Sequence, residues 1–530
     1  MLDKMTYQQR LILATVISAV LVVFYELFFA PQPKIIENNN SKTQSKEQPA
    51  QNASTPAINA APNAVATPNI ASAAPIQTSD IISTVKSDKF EIEIDKYGRI
   101  AQIYLLENKF KDAKGERQKL LSDLHAKPLE IRFSDPAINT ASHQIAYTAN
   151  SAQIAPDGKS QLVLTQNLNN IVVTKKLTFS PDGSYKLDLS LSKDTQYFLT
   201  AGYAPDLAKD TFVFIGTLSV GIDGKIKTFE NGHHKADETT PKSYILASSD
   251  KYYTSTLYNF DAPLDIVVTA DKDSNPTSFI IANSSIKLNG YIGPKTVDTL
   301  KSIDPRLADI VEYGFFTFIS KPLFWSLEYI ERGIGNWGWT IVIFTIIIRL
   351  LLFPLTYKGM VSMNKLKELA PKLAELKEKY KGDAQKLNIH MMDLYKKHGA
   401  NPMGGCLPMI LQIPIFFAIY RVLLNSIELK GAPWILWIHD LSLMDQYYVL
   451  PILMGGSMFI QQMITPQNFT DPLQAKIFKY LPVVFTFFFL AFPAGLTLYW
   501  FVNNILSILQ QYTVNYMMAK KQTHKVAEGA

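Results

Sequence analysis

The 530-residue chain reads as an α-helical membrane bundle joined to a large all-β domain, and three observations predict this. Period-two alternation of apolar and polar residues recurs between Ile81 and Leu300. Long apolar runs follow after Trp337, separated by a strongly basic segment and a mildly acidic one. A further apolar run, Leu11 to Ala30, lies near the N-terminus behind Lys4 and Arg10.

That first run, residues 1–30, is expected to be an uncleaved anchor with its N-terminus in the cytoplasm. Phe28-Phe29-Ala30 offers no small-x-small cleavage site, and the run is long for the apolar core of a signal peptide. Residues 31–80 then change character. The mixture NNNSKTQSKEQ and ASTPAINAAPNAVATPNIASAAP has few large apolar groups to offset ordering entropy, so it reads as a flexible tether.

From 81 to 300 the signals are those of antiparallel strands. Lys89-Phe-Glu-Ile-Glu-Ile94 alternates and closes on Asp95-Lys-Tyr-Gly98; Pro156-Asp-Gly158 and Pro181-Asp-Gly183 mark further turns. The single cysteine, Cys406, rules out an intramolecular disulfide, so this domain must rely on its core. His233 and His234 lie in a turn-like ENGHHKADE. With no Cys partner or carboxylate at recognised ligand spacing, they read as turn residues and not as metal ligands. The chain carries no nucleophile motif and no phosphate loop, and no cofactor or enzymatic reaction is expected.

Residues 301–336 turn helical. Pro322 suits a first helical position, and Leu323, Leu327 and Ile330 share a face with Phe324 beside them, opposite Glu328, Glu331 and Arg332. Just before a membrane span, this predicts an amphipathic helix in the outer interface, the alternative being an ordinary surface helix packed on the β-domain.

Charge sets the topology of residues 337–518. The run Trp339–Leu355 has Trp337 and Trp339 at one end and Tyr357 and Lys358 at the other. Ten lysines against five acidic residues between Lys358 and Cys406 assign that loop to the cytoplasm. Runs at Leu407–Ile427 and Val449–Ile464 enclose a segment with Glu428, Asp440 and Asp445, expected outside. The last stretch, from Leu481, has lysines on both flanks (Lys476 and Lys479; Lys520, Lys521 and Lys525, the last three in the basic tail 519–530). Both flanks therefore want the cytoplasm, which requires two crossings broken at Phe492-Pro-Ala-Gly495. The first of these is short. About a dozen helical residues cover ~18 Å against a hydrocarbon core of ~30 Å, so the bilayer should thin there unless the helix extends toward Ile477. The count is six spans, an anchor and a five-helix core, with both termini in the cytoplasm.

Within FTIIIRLLLFP, Arg349 lies nearly midway across its span. An intramembrane guanidinium either pairs with an acid or faces water, and the five core spans contain no Asp or Glu. A water-filled cavity is therefore expected, lined by Thr345 one turn earlier. Gln412, Gln461, Gln462, Asn503, Asn504 and Ser507 either share that cavity or bond across helices. Arg421 lies nearer the outer surface, where snorkelling accounts for it.

The basic loop, residues 358–405, carries Leu366, Leu369, Leu373, Leu376 and Tyr380 at helical spacing. Leu387, Met391 and Leu394 continue the seam after Lys381-Gly-Asp383. This predicts an antiparallel helical hairpin, with Pro371 kinking or restarting its first arm. Its lysines either form a solvated surface or meet anionic lipid or ribosomal RNA.

The runs GNWGWTIVIFTIIIRLLLFPLTYKGMVSMNKLKELAPKL, NPMGGCLPMILQIPIFFAIY, APWILWIHDLS and FPAGLTLYWFVNNILSILQQ resemble the Oxa/Alb/YidC family of membrane protein insertases, in its Gram-negative form, over about Gly335 to Gln511. The resemblance implies a periplasmic β-supersandwich, inner-membrane location, and a hydrophilic groove open to the cytoplasm and to lipid. It implies a groove set of Arg349, Thr345, Tyr499, Trp500 and Asn503, and a hydrophobic slide of Gln412, Pro414, Phe416, Phe485 and Phe489. Trp500 stands where the family often has tyrosine, and Arg421 where it usually has an uncharged residue. The implied partners are nascent membrane proteins, the ribosome, the Sec translocon (SecYEG and SecDF) and membrane lipids, with no DNA. The competing readings are a secondary transporter or channel with an Arg-lined cavity, and a membrane-tethered periplasmic binding module. The lack of interior acids argues against the former and the cost of burying Arg349 against a passive anchor.

Overall fold

The computed structural model describes residues 80–111, 115–168, 170–205, 207, 213–311, 317–399, 407–465 and 472–528. The expected anchor, the tether up to residue 79 and Cys406 lie outside the described residues. Two compact units divide after Ile310.

The first unit is built on two sheets. A four-stranded sheet orders Ile100–Leu105, Phe90–Asp95, Ile81–Lys86 and Gln153–Ile154; a thirteen-stranded antiparallel sheet holds the remaining strands to Pro294. The turn chemistry acts where the sequence places it. Gly98 and Gly183 take φ of +65° and +87°, a region open to glycine without a Cβ penalty, and Gly183 closes the hairpin between Ile171–Phe179 and Ser184–Leu191. His234 is buried edge-on against Phe229, ring centroids 5.2 Å apart, while His233 is exposed.

Period two also places Lys175 on the buried face of Ile171–Phe179, where its ammonium donates to Gly98 O at 2.7 Å and Leu129 O at 2.8 Å. Nearby, Arg99 bridges Asp95 at 2.8 Å and Glu130 at 3.0 Å, and Arg132 reaches Glu130 at 2.8 Å. Burial pushes the Glu130 carboxyl up, but Arg132 and Arg99 outweigh it and hold the group below its ordinary range. Burial pushes Lys175 down to about 7, the dominant effect over nearby Asp95 and Glu130. Lys175 and Arg99 thus join the small sheet to the large one through buried bonds.

The helices are α1 (Pro136–Ser142), α2 (Val297–Ile303), α3 (Thr317–Ile334), α4 (Trp337–Glu368), α5 (Ala370–Lys379), α6 (Ala384–Lys397), α7 (Leu407–Asn425), α8 (Val449–Ile464), α9 (Pro472–Phe489) and α10 (Ala494–Glu528). Two expectations need correcting. Helix α3 starts at Thr317, so Pro322 lies inside it and not at its first position. Its buried face is Ser320, Phe324 and Leu327, with Ser320 Oγ donating to Ala418 O of α7 at 3.3 Å. Leu323 and Ile330 are half-buried, while Phe318, Trp325 and Tyr329 form an exposed aromatic stripe.

Helix α9 begins at Pro472, well before Leu481; its 18 residues span ~27 Å, although its apolar part is only Phe478–Phe489. The sequence hid this start because Lys476 and Lys479 interrupt the apolar run. Both are exposed, as charges on the helix flank should be. Among the described helices, α4 is long and apolar enough by itself to cross a membrane.

The hairpin forms as the seam predicts. Pro371 restarts the helix in the first turn of α5, Asp383 Oδ1 caps α6 by accepting from Lys386 N at 3.0 Å, and Tyr380 stacks on His390 at 4.5 Å.

Candidate functional site

Asn336 starts α4 by accepting from Trp339 N at 3.1 Å. Just over three turns later the helix delivers Arg349 to the face of α10, where it is 7% exposed. The guanidinium donates from Nε to Asn503 Oδ1 at 2.7 Å and from Nη2 to Ser507 Oγ at 2.6 Å and Asn503 O at 3.2 Å. Gln510 Nε2 donates in return to Arg349 O at 3.3 Å. Asn503, Ser507 and Gln510 stand four and three residues apart, on one face of α10. Further along, Asn364 Nδ2 reaches Asn515 Oδ1 at 2.9 Å. The α4–α10 contact is therefore a polar seam of neutral side chains around one cation.

Three of the five guanidinium N–H groups are used in this way, and Nη1 makes no bond to any described residue. Tyr499, 4% exposed and one turn before Asn503, lies within electrostatic reach of Arg349. Thr345 is fully buried, and its hydroxyl donates to Ile341 O at 2.6 Å, one turn back in its own helix. The other amides tie helices together. Asn504 Nδ2 donates to Ser457 Oγ of α8 at 3.1 Å, and Gln462 Nε2 to Phe478 O of α9 at 2.5 Å.

The aromatic residues converge as well. The Trp500 indole lies 4.5 Å from Phe416, 4.9 Å from Phe489 and 5.8 Å from Phe485 by ring centroids, so α7, α9 and α10 meet in one cluster. Gln412, one turn before Phe416, and Pro414 are half-buried beside it. The structure thus brings Trp500 to the Phe416–Phe485–Phe489 set and Asn503 to Arg349, three residues further along α10. Arg421 is half-buried, four residues from the end of α7.

Sequence reasoning missed how the end of the bundle near α10's first turn is closed. Ala494 N and Gly495 N donate to Leu443 O at 2.7 Å and Leu441 O at 2.9 Å, so the segment between α7 and α8 satisfies the first donors of α10. A Cβ on Gly495 would lie 3.1 Å from Leu441 O. Buried Asp445 holds that segment by accepting from Trp437 Nε1 at 2.9 Å, Tyr447 N at 3.1 Å and Leu450 N at 2.7 Å. The signal was present in an Asp a few residues before a helix, but topology reasoning had used Asp445 only as a charge. Trp434 packs over Gly338, where a Cβ would meet its ring at 2.2 Å.

A helical core with a long apolar helix and a buried guanidinium among neutral acceptors, preceded in the chain by a large β-domain, fits the class of membrane proteins that carry a separately folded domain. Two family models match accordingly: 60Kd inner membrane protein over residues 329–522 and YidC periplasmic domain over 224–326. The membrane protein insertase YidC of Campylobacter jejuni is 51% identical, covering 99% of this chain and 98% of that protein. The Helicobacter pylori (strain ATCC 700392 / 26695) protein of the same name is 44% identical, covering 98% of each. A crystal structure of an active YidC insertase with its first transmembrane domain resolved covers 82% of this chain and 94% of that one, at 17% identity and a TM-score of 0.36. On the sequence relatives, the chain belongs to the YidC family of membrane protein insertases.

Proposed function

We propose that this chain inserts nascent membrane proteins into the inner membrane by holding their short polar segments at Arg349 while their apolar segments pass the aromatic cluster into lipid. The observation that carries this is the Arg349 guanidinium, fixed by Asn503 and Ser507 with Nη1 uncommitted. A neutral clamp leaves the positive charge uncompensated and so available to an incoming carboxylate. Trp500, Phe416, Phe485 and Phe489 supply an adjacent apolar surface. Thr345 and Tyr499 wall the groove from its inner side, and Gln412 and Pro414 border the slide.

Transfer of apolar segments from water to lipid supplies the driving force, so no catalytic step or cofactor is needed. The charge pattern supports six spans with both termini cytoplasmic. It also places the lysine-rich hairpin where a ribosome or anionic lipid would meet it, and the chain would work alone or beside the Sec translocon.

The test is photocrosslinking from probes at Phe416, Trp500 and Thr345 to ribosome-bound membrane-protein chains of increasing length, with exposed Leu350 as control. Length-dependent adducts at the probe sites with a silent control are expected. Protection of those positions by small solutes without any nascent-chain adduct would favour the transporter reading.

A further inference from the structure

The segment joining α7 to α8 exposes large apolar side chains on a backbone that is firmly held. Leu436, Leu443, Met444 and Tyr447 are 75%, 60%, 55% and 62% exposed. Trp434 N donates to Ile438 O at 3.0 Å and Ile438 N to Ile435 O at 3.1 Å, which closes a tight turn with Leu436 at its tip. Met444 bridges Pro493, just before α10, and Ile438 and Leu441 are buried. Leu436 and Tyr448 take φ of +53° and +57°, a left-handed region that bulky residues rarely occupy. Backbone strain that persists inside a pinned surround points to function, and here both strained residues belong to the exposed apolar segment.

The two carboxylates of the segment are engaged within it. Asp445 is 1% exposed, and Asp440 Oδ1 accepts from Ser442 N at 2.8 Å. No Lys or Arg occurs between Lys430 and Lys476, so nothing there attracts anionic headgroups. Ile452 and Leu453, 60% and 46% exposed near the start of α8, carry the apolar surface on into that helix. Aromatic rings beside aliphatic side chains at a span's end are the composition of a membrane interface.

We infer, taking α4 and α7 to α10 as the membrane spans proposed above, that residues 431–448 are an anchor seated among the headgroups and upper acyl chains of the outer leaflet, and that this seat sets the depth of Arg349. Leu443 O and Leu441 O hold the first turn of α10 at Ala494 and Gly495. Asn503 and Ser507 lie ~14 and ~20 Å further along that helix at 1.5 Å per residue, around the midplane of a ~30 Å core. Both bond the guanidinium, so the level of the seat becomes the level of the cation.

The test uses the full chain with Cys406→Ser in phosphatidylcholine liposomes and spin labels on Leu436→Cys, Met444→Cys and Tyr447→Cys. The ratio of oxygen to water-soluble nickel-chelate accessibility at these sites should be at least fivefold that at Lys225→Cys in the β-domain, and below that at Leu350→Cys. In the double variant Leu436→Ser, Tyr447→Ser, the ratio at a label on Leu509→Cys of α10 should shift at least twofold, while Tyr447→Trp alone should leave it unchanged. Segment labels that read like Lys225→Cys would overturn the anchor, and the spans would stand if Leu350→Cys still reads as lipid. Labels immobile and shielded from both reagents would mean that protein covers the segment, and would overturn it too. An unmoved Leu509→Cys ratio in the double variant would overturn the control of depth. A watery Leu350→Cys would remove the spans themselves and the anchor with them.

Discussion

Arg349 Nη2 and Ser507 Oγ meet at 2.6 Å across α4 and α10, tying the one charge of an apolar run to a neutral hydroxyl. The bond orients the cation without cancelling it. A carboxylate at position 507 would instead neutralise the cation and leave nothing for a client. Arg349→Ala should therefore lower insertion of clients with acidic translocated segments severalfold and leave neutral ones nearly unchanged, as scored by protease protection of labelled clients. Equal loss for both would remove the electrostatic part of the mechanism.

The same relationship separates charge from orientation. Lysine keeps the charge of Arg349 but is a point donor that cannot span Asn503 and Ser507 together. Arg349→Lys should retain part of the preference for acidic clients. Ser507→Ala, leaving the guanidinium with two fewer-constrained bonds, should cost about 1.5–3 kcal/mol of helix–helix stability. Thermal unfolding in detergent reads the latter, and an unchanged midpoint would mean that water replaces the hydroxyl.

Helices α8 and α9 approach through Gly455, where an added Cβ would lie against the Thr486 hydroxyl. Gly455→Ala should destabilise the core by about 1–3 kcal/mol through overpacking. Thr486→Ala removes the obstructing oxygen, so the double variant should recover most of that loss. Additive damage in the double variant would place the strain elsewhere.

These particulars show what the sequence made legible. Period two, Pro-Asp-Gly turns, the hairpin seam and the conflict between Arg349 and its apolar neighbours were local signals, and the structure follows each. The partners of Arg349 were not local, since Asn503 lies 154 residues away and an intramembrane amide has several uses. Sequence reasoning expected water around the guanidinium because it searched for acids. Neutral acceptors on one face of α10 answer three of its bonds. The extension of α9 past Ile477 stood only as an alternative because a helix flank with lysines lacks the apolar signal of its centre, and Pro322 was misplaced because proline marks helix starts more often than interiors.

Glu130 is held between Arg99 and Arg132, all three nearly buried. Glu130→Gln keeps the shape and removes the charge, leaving two buried guanidinium groups with Asp95 as the one carboxylate bonded to Arg99. The expected loss is about 3–5 kcal/mol, because breaking a buried pair costs more than the pair contributes. Urea unfolding of the β-domain within the solubilised chain measures it. A loss below about 1 kcal/mol would mean that the site is wetter than its burial indicates.

Lys175 gives the β-domain a pH dependence with a definite sign. Its folded value of about 7 lies below the ordinary 10.5, so between those limits the unfolded chain holds a proton that the folded chain does not. Stability must then rise with pH across that window, at a limit of about 1.4 kcal/mol per pH unit for one proton. Below about pH 7 both states are protonated, this contribution to the slope vanishes, and the burial cost of the charge remains. The geometry tolerates the change, because a neutral amine still has two hydrogens for the two carbonyls it meets, Gly98 O and Leu129 O. Lys175→Met should therefore flatten the rise in urea midpoint between pH 7 and 9.5. It should do so whatever it does to the midpoint itself, since losing a buried charge and orphaning two carbonyls act in opposite directions. A variant whose midpoint climbs as steeply as the parent's would show that Lys175 stays charged in the fold, held by its carbonyls and the face of Tyr147, 4.9 Å away.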